Sequence, residues 1–137
     1  TKGTPAIEWT VSYDWAGGAD QYIGWDSNTS TLRGIQFGVG NAARKCNAIV
    51  LKGSFGANII NNIVVNTAVA SGGNAQLTVS VGGTTLQCNE QDSAQVTNTA
   101  SANYTFTSTT GLTGDIVITI TNSVAKAFYL KEIHINQ

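Results

Sequence analysis

The groups in this chain that can do chemistry are a scatter of carboxylates, one imidazole and a set of aromatic rings near the start. A hydrolytic triad needs a nucleophile, an imidazole base and an orienting carboxylate. The sole imidazole, His134, sits near the chain end with alternation opposite to Ile133 and Ile135, which points it to solvent. Paired carboxylates hydrolyse glycosides at separations of roughly 5 to 9.5 Å. Here Glu8, Asp14, Asp20, Asp26, Glu90, Asp92, Asp115 and Glu132 mostly fall in turns or on outward strand positions, with no recognisable spacing. Gly38-Val39-Gly40 lacks the following helix that would aim amides at a phosphate. No enzyme is expected. Calcium takes loop carboxylates and carbonyls without a motif, and Asp14, Asp20 and Asp26 are close enough in sequence to converge on one. Isolated turn aspartates explain them equally well.

The aromatics carry more information. Trp9, Trp15 and Trp25 all precede Asp26, with Tyr13 and Tyr22 between them. Such rings are either core anchors or a platform on which a flat ligand stacks. Trp9 is in phase with Ile7 and Val11, so it reads as core, whereas Tyr13 continues that phase and goes either way. Trp15 stands at a strand end before Ala16-Gly17-Gly18, and core and exposure are equally expected for it. Trp25 follows Gly24, which would leave space beside its ring, and precedes the turn Asp26-Ser27-Asn28. An indole there can stack on a sugar ring while polar neighbours bond the hydroxyls, and Asp26, Arg33 and Gln36 are the nearest suitable groups. Trp15, Tyr22 and Trp25 are therefore the stacking candidates.

The elements that must position these residues are strands. Apolar residues alternate with period two almost throughout, and helical periods are absent. Expected strands run from Ile7 to Trp15, Tyr22 to Trp25, Ile35 to Val39 and Ala48 to Phe55, the last central because its apolar run is nearly continuous. Ile63, Val65, Thr67 and Val69 share one face of the next strand. Gly82-Gly83 between alternating runs signals a two-residue hairpin. Residues 89–102 form the longest polar stretch, a functional loop or an irregular edge. Tyr104 and Phe106 mark a short strand, and Ile116, Ile118 and Ile120 another. Phe128 and Leu130 share one parity while Ile133 and Ile135 share the other, which requires a β-bulge near Lys131-Glu132. Nine or ten short strands with turns between them predict an all-β fold, a two-sheet antiparallel β-sandwich of jelly-roll type, as a single domain over 1–137.

Composition narrows the partners. Charged residues make up 11% of the chain, against roughly 25% in a typical soluble protein, so the surface is polar but nearly uncharged. The scattered Lys and Arg residues give no phosphate-neutralising field, and nucleic acid is not expected. No apolar run is long enough for membrane insertion, and Thr1-Lys2-Gly3-Thr4 does not read as a signal peptide, which fits a mature protein or a fragment. Cys46 and Cys88 permit one disulfide that would close a loop of about 40 residues and contribute ~3–4 kcal/mol. The alternative is two buried thiols acting as small hydrophobes.

The segments Tyr-Ile-Gly-Trp-Asp-Ser, Arg-Gly-Ile-Gln-Phe-Gly-Val-Gly, Leu-Thr-Val-Ser-Val-Gly-Gly-Thr and Gly-Asp-Ile-Val-Ile-Thr-Ile-Thr-Asn-Ser, followed by Ala-Phe-Tyr-Leu-Lys-Glu-Ile-His-Ile, together span residues 22–135. They resemble the jelly-roll accessory modules, carbohydrate-binding in many instances, attached to secreted bacterial polysaccharide-degrading enzymes. The resemblance implies a secreted or cell-surface location, a polysaccharide or oligosaccharide partner and a catalytic domain in the same parent chain. It carries over no binding site residue by residue. The expected function is that of a non-catalytic module binding polysaccharide through an aromatic platform. The alternative is a structural or protein-interaction β-sandwich of a larger secreted or cell-surface protein.

Overall fold

A computed structural model describes residues 7–18, 20–26, 28 and 30–137. Residues 1–4 and Ser27 of the expected turn lie outside this set. Two antiparallel sheets pack face to face. The first holds β1 (Thr10–Trp15), β4 (Cys46–Ser54), β10 (Asp115–Asn122), β6 (Ala75–Val81) and β7 (Thr84–Thr85) in that order, with β8 (Ala94–Val96) also on β6. The second runs β2 (Ile23–Trp25), β3 (Ile35–Phe37), β11 (Phe128–Asn136), β5 (Ile60–Val69) and β9 (Ala102–Leu112). Each sheet has one of the short N-terminal strands at an edge: β1 in the first and β2 in the second. These are the strands that carry the aromatics.

Alternation chooses the inward residues. Ile116, Ile118 and Ile120 are fully buried while Val117 and Thr119 between them are half-buried on the outer face. Ile63, Val65, Thr67 and Val69 all turn inward as expected, and the Thr67 hydroxyl donates to the Tyr129 carbonyl at 2.5 Å. The register of β11 on β5 slips between Leu130 and Glu132, which is the bulge that the parity change required. Gly82 and Gly83, with φ of 57° and 83°, close the hairpin between β6 and β7 in the left-handed region that a primed turn needs.

Three further expectations resolve. The strand β4 has partners on both sides, yet only its inner face is covered: Ile49 and Leu51 are buried, Val50 is half-buried and Lys52 is exposed. The polar stretch 89–102 is an irregular edge, because Ala94 and Val96 pair inward against β6 and leave Gln95 outside. The cysteines are not bridged. Both are free, buried thiols in different settings, Cys46 facing Trp15 across the β1–β4 ladder and Cys88 bridged to Gln91 beyond β7. Burial pushes the Cys46 thiol up to about 11 and that of Cys88 in the same direction, so neither ionises near neutrality.

Candidate functional site: a cleft at the edge of the second sheet

Trp25 closes β2 and pairs with Ile35. Its indole is 66% exposed, the highest value of any large apolar side chain described. Leu32, 53% exposed, stands beside it in the connection between β2 and β3, and Ile23 and Ile35 extend the same uncovered surface. Lone exposed apolar residues are ordinary, whereas a contiguous group at a cleft marks an interaction site. The cleft here is open, about 320 Å³ in volume, and lined by Trp25, Leu32, Gly34, Lys131 and Glu132. Lys131 and Glu132 are the residues re-aimed by the β11 bulge, and both are exposed. An apolar indole next to one cation and one anion is a surface that can stack a ring and bond its substituents.

The loop that presents Trp25 and Leu32 is organised by Asp26. Its carboxylate is 5% exposed and accepts from Arg33 Nε (3.0 Å), the Arg33 amide (3.0 Å), the Thr31 hydroxyl (2.7 Å) and the Asn28 amide (3.2 Å). Three of these donors meet at Oδ2 and the Asn28 amide alone takes Oδ1, so most of the carboxylate's acceptor capacity is turned to the loop. Burial works to raise its pKa, but the bonds from Arg33, Thr31 and Asn28 outweigh it and hold the acid far below its ordinary value. Backbone bonds from the Thr31 and Leu32 amides to the Asn28 carbonyl complete the turn, and Leu32 takes a φ of 41°. Gly34, with φ of 86°, lets the chain lie against the Leu130 carbonyl, where a Cβ would collide. This contact brings Leu32 and Gly34 to the bulge.

The six residues singled out from sequence do not form one cluster. Trp15 is half-buried, packs on the core and stacks on Tyr13 at 6.0 Å between ring centroids. Tyr13, at 43% exposure, is the more open of the two and also meets Phe37. Tyr22 lies over Gly24, whose absent side chain it replaces: a Cβ there would strike the Tyr22 ring and hydroxyl. The space at Gly24 is thus filled by Tyr22, not left open beside Trp25, because alternation turns residues 24 and 25 to opposite faces. Gln36 sits on the Gly24 face and donates its amide to the Gly38 carbonyl at 3.0 Å. Arg33 stacks on Tyr129, its guanidinium carbon 3.8 Å from the ring centroid. Asp26 is a loop staple, 5% exposed, with three donors on Oδ2 and the Asn28 amide on Oδ1. Sequence reasoning missed Leu32, Lys131 and Glu132 as cleft residues, although the parity change at Lys131-Glu132 was a readable signal of a re-aimed pair.

Among the described residues no three His, Cys, Asp or Glu side chains cluster as metal ligands. Asp14 lies exposed in β1 and Asp20 in the following loop. Likewise no helix of the described residues is long and apolar enough to cross a membrane.

No protein-family profile matches the chain, and no curated protein sequence does. Solved structures do match. A family-36 carbohydrate-binding module in complex with calcium and xylotriose is 22% identical, with 93% of this chain and 99% of that chain covered and a TM-score of 0.52. A family-61 module in complex with β-1,4-galactotriose is 17% identical, with coverage of 94% and 88% and a TM-score of 0.58. A family-36 domain of a multidomain xylanase from the hindgut metagenome of Trinervitermes trinervoides is 14% identical, covers 95% and 98%, and has a TM-score of 0.52. Over nearly its whole length this chain therefore has the β-sandwich fold of the jelly-roll carbohydrate-binding modules.

Proposed function

We propose that the chain is a non-catalytic carbohydrate-binding module that takes a neutral glycan into the cleft at Trp25. The exposure of that indole beside Leu32, Lys131 and Glu132 is the observation that carries the reading. A pyranose would lay its apolar face on the indole while Glu132 accepts from ring hydroxyls and Lys131 donates to them. A nearly uncharged surface suits such a ligand, since neutral glycans are held by stacking and neutral hydrogen bonds. The fold neighbours support it too, having been solved with xylotriose and galactotriose. We propose also that the module is a secreted accessory domain beside a catalytic domain in the same parent chain, a reading that fits a neighbour which is one domain of a multidomain xylanase.

Isothermal titration and affinity electrophoresis against a panel of neutral oligosaccharides test the reading. We expect at least one ligand to bind and Trp25→Ala to weaken it by tenfold or more. No binding across the panel, or undiminished binding by Trp25→Ala, removes the claim. Titrations with calcium and with a chelator form a second arm, in which a loss of affinity in chelator would show that a cation takes part in binding. One observation favours the other reading, a protein-interaction domain: Ile23, Leu32 and Ile35 are aliphatic and lie around the indole. If that reading holds, substituting these aliphatics abolishes partner capture while no glycan binds.

A further inference from the structure

A second cleft lies on the other side of the Asp26 loop. It has a volume of about 450 Å³, and its lining includes Ser30, Thr31, Arg33, Ser71 and Thr99. The charge in that lining belongs to Arg33 alone. Its guanidinium is fixed in three ways: Nε donates to Asp26 at 3.0 Å, the plane rests on Tyr129, and Nη1 reaches the Thr99 carbonyl at 3.4 Å. A guanidinium carries five N–H donors in a rigid fork. Among the described residues Nη2 donates to no protein acceptor, and the Nη1 bond is long. The side chain is only 13% exposed, so its position is held by packing and not by solvent. The Asp26 carboxylate compensates the charge through Nε, which leaves the Nη pair as a pre-oriented fork at the cleft.

From this geometry we infer a site for a carboxylate-bearing sugar, a uronic acid residue, held by the Arg33 Nη pair with the surrounding hydroxyls on its ring substituents. A carboxylate matches the fork with two parallel bonds, which a neutral hydroxyl cannot do. Walls carrying hydroxyls and no carboxylate accept an acidic sugar without repulsion. The inference rests on the reading of the chain as a glycan-binding module but uses a different cleft, so the two can fail separately.

The test is a ¹H–¹⁵N titration with trigalacturonate, with neutral galactotriose, and with acetate and sulfate as simple anions. Trigalacturonate should shift the Arg33 Nε–H and the Ser71 and Thr99 amides, and bind at least about tenfold more tightly than the neutral trisaccharide at these positions. Arg33→Lys keeps the charge beside Asp26 but loses the fork, and should lower uronate affinity by about tenfold or more. Should that variant fail to fold, Ser71→Phe fills the cleft from an exposed position and should remove the same shifts. Equal shifts by the acidic and neutral trisaccharides overturn the inference. So does full competition by acetate or sulfate at equal concentration, which would mark an adventitious ion only. Shifts at the Trp25 indole with galactotriose and none at Arg33 with trigalacturonate would sink this inference alone, whereas no shift with either sugar would sink the module reading as well.

Discussion

The edge strands β1 and β2 each end on a tryptophan, yet the two indoles stand in opposite situations. In β1, Trp15 is half-buried on the core and Tyr13 reaches across to Phe37 of the second sheet. In β2, Ile23 and Trp25 turn to the same side as Phe37 and remain uncovered. The difference lies in what stands opposite and beside each strand. A six-residue β1 pairs along much of the nine-residue β4, whereas a three-residue β2 pairs with a three-residue β3. Strand alternation decides which face a side chain occupies, and the reach of the facing sheet decides whether that face is buried.

If β1 is held by packing and β2 by the polar network at Asp26, then Asp26→Ala should be the most damaging single change near either edge. It would leave the Arg33 guanidinium, two backbone amides and the Thr31 hydroxyl without their acceptor. Breaking a buried pair from one side costs about 3–5 kcal/mol. Urea denaturation should read that loss, and an unchanged midpoint would break the contrast between the two edges. Acid should act on the same group. The folded pKa of Asp26 is depressed, so its stabilisation is fully present above the ordinary aspartate value of 3.8 and is lost as the pH falls below it. The Asp26→Asn protein should therefore show a shallower acid limb than the parent between pH 4 and pH 2, on the scale of the pH range that linkage sets for a single aspartate (roughly pH 5 to 1). Parallel limbs would place the acid sensitivity elsewhere.

A smaller effect is expected at β1. Trp15→Ala should cost about 2 kcal/mol, below the usual 3–5 for a buried Trp because the ring is half-buried, with glycan affinity unchanged or nearly so. Loss of affinity on the scale of Trp25→Ala, at full stability, would move the platform to β1 and reverse the comparison. Thiol reactivity sharpens the same point, because Cys46 faces Trp15 across the ladder and is fully buried. The native protein should react slowly with a thiol reagent at neutral pH. On unfolding, without reductant, both thiols should be counted; a count of none would restore the disulfide.

Much of this is legible in the sequence. The inward sets of β5 and β10, the Gly82-Gly83 turn and the bulge at Lys131-Glu132 are all local consequences of a period of two, and each needs only a few consecutive residues to declare itself. Coverage is not local. Nothing around Trp25 states that the opposite sheet stops short of it, and nothing around Trp15 states that Tyr13 and Cys46 close over it. Asp26 shows a third kind of illegibility. Its partners lie within seven residues, but a carboxylate that staples a loop and one that faces a ligand have the same neighbours in sequence. The strand at 94–96 escaped for a plainer reason: three residues inside a polar stretch are too few to show a period.

The smallest expected effect on stability is at Trp25 itself. An indole that is 66% exposed loses little contact when truncated, so Trp25→Ala should change the unfolding free energy by under about 0.5 kcal/mol. The same substitution should remove the emission that acrylamide quenches most readily, leaving the blue-shifted emission of the half-buried Trp9 and Trp15. A stability loss of 2 kcal/mol would mean that Trp25 is packed against something and is an anchor like Trp15. A near-neutral result frees Trp25 of any role in folding, so that a loss of glycan affinity in the same variant can be read as a lost contact and not as a damaged fold.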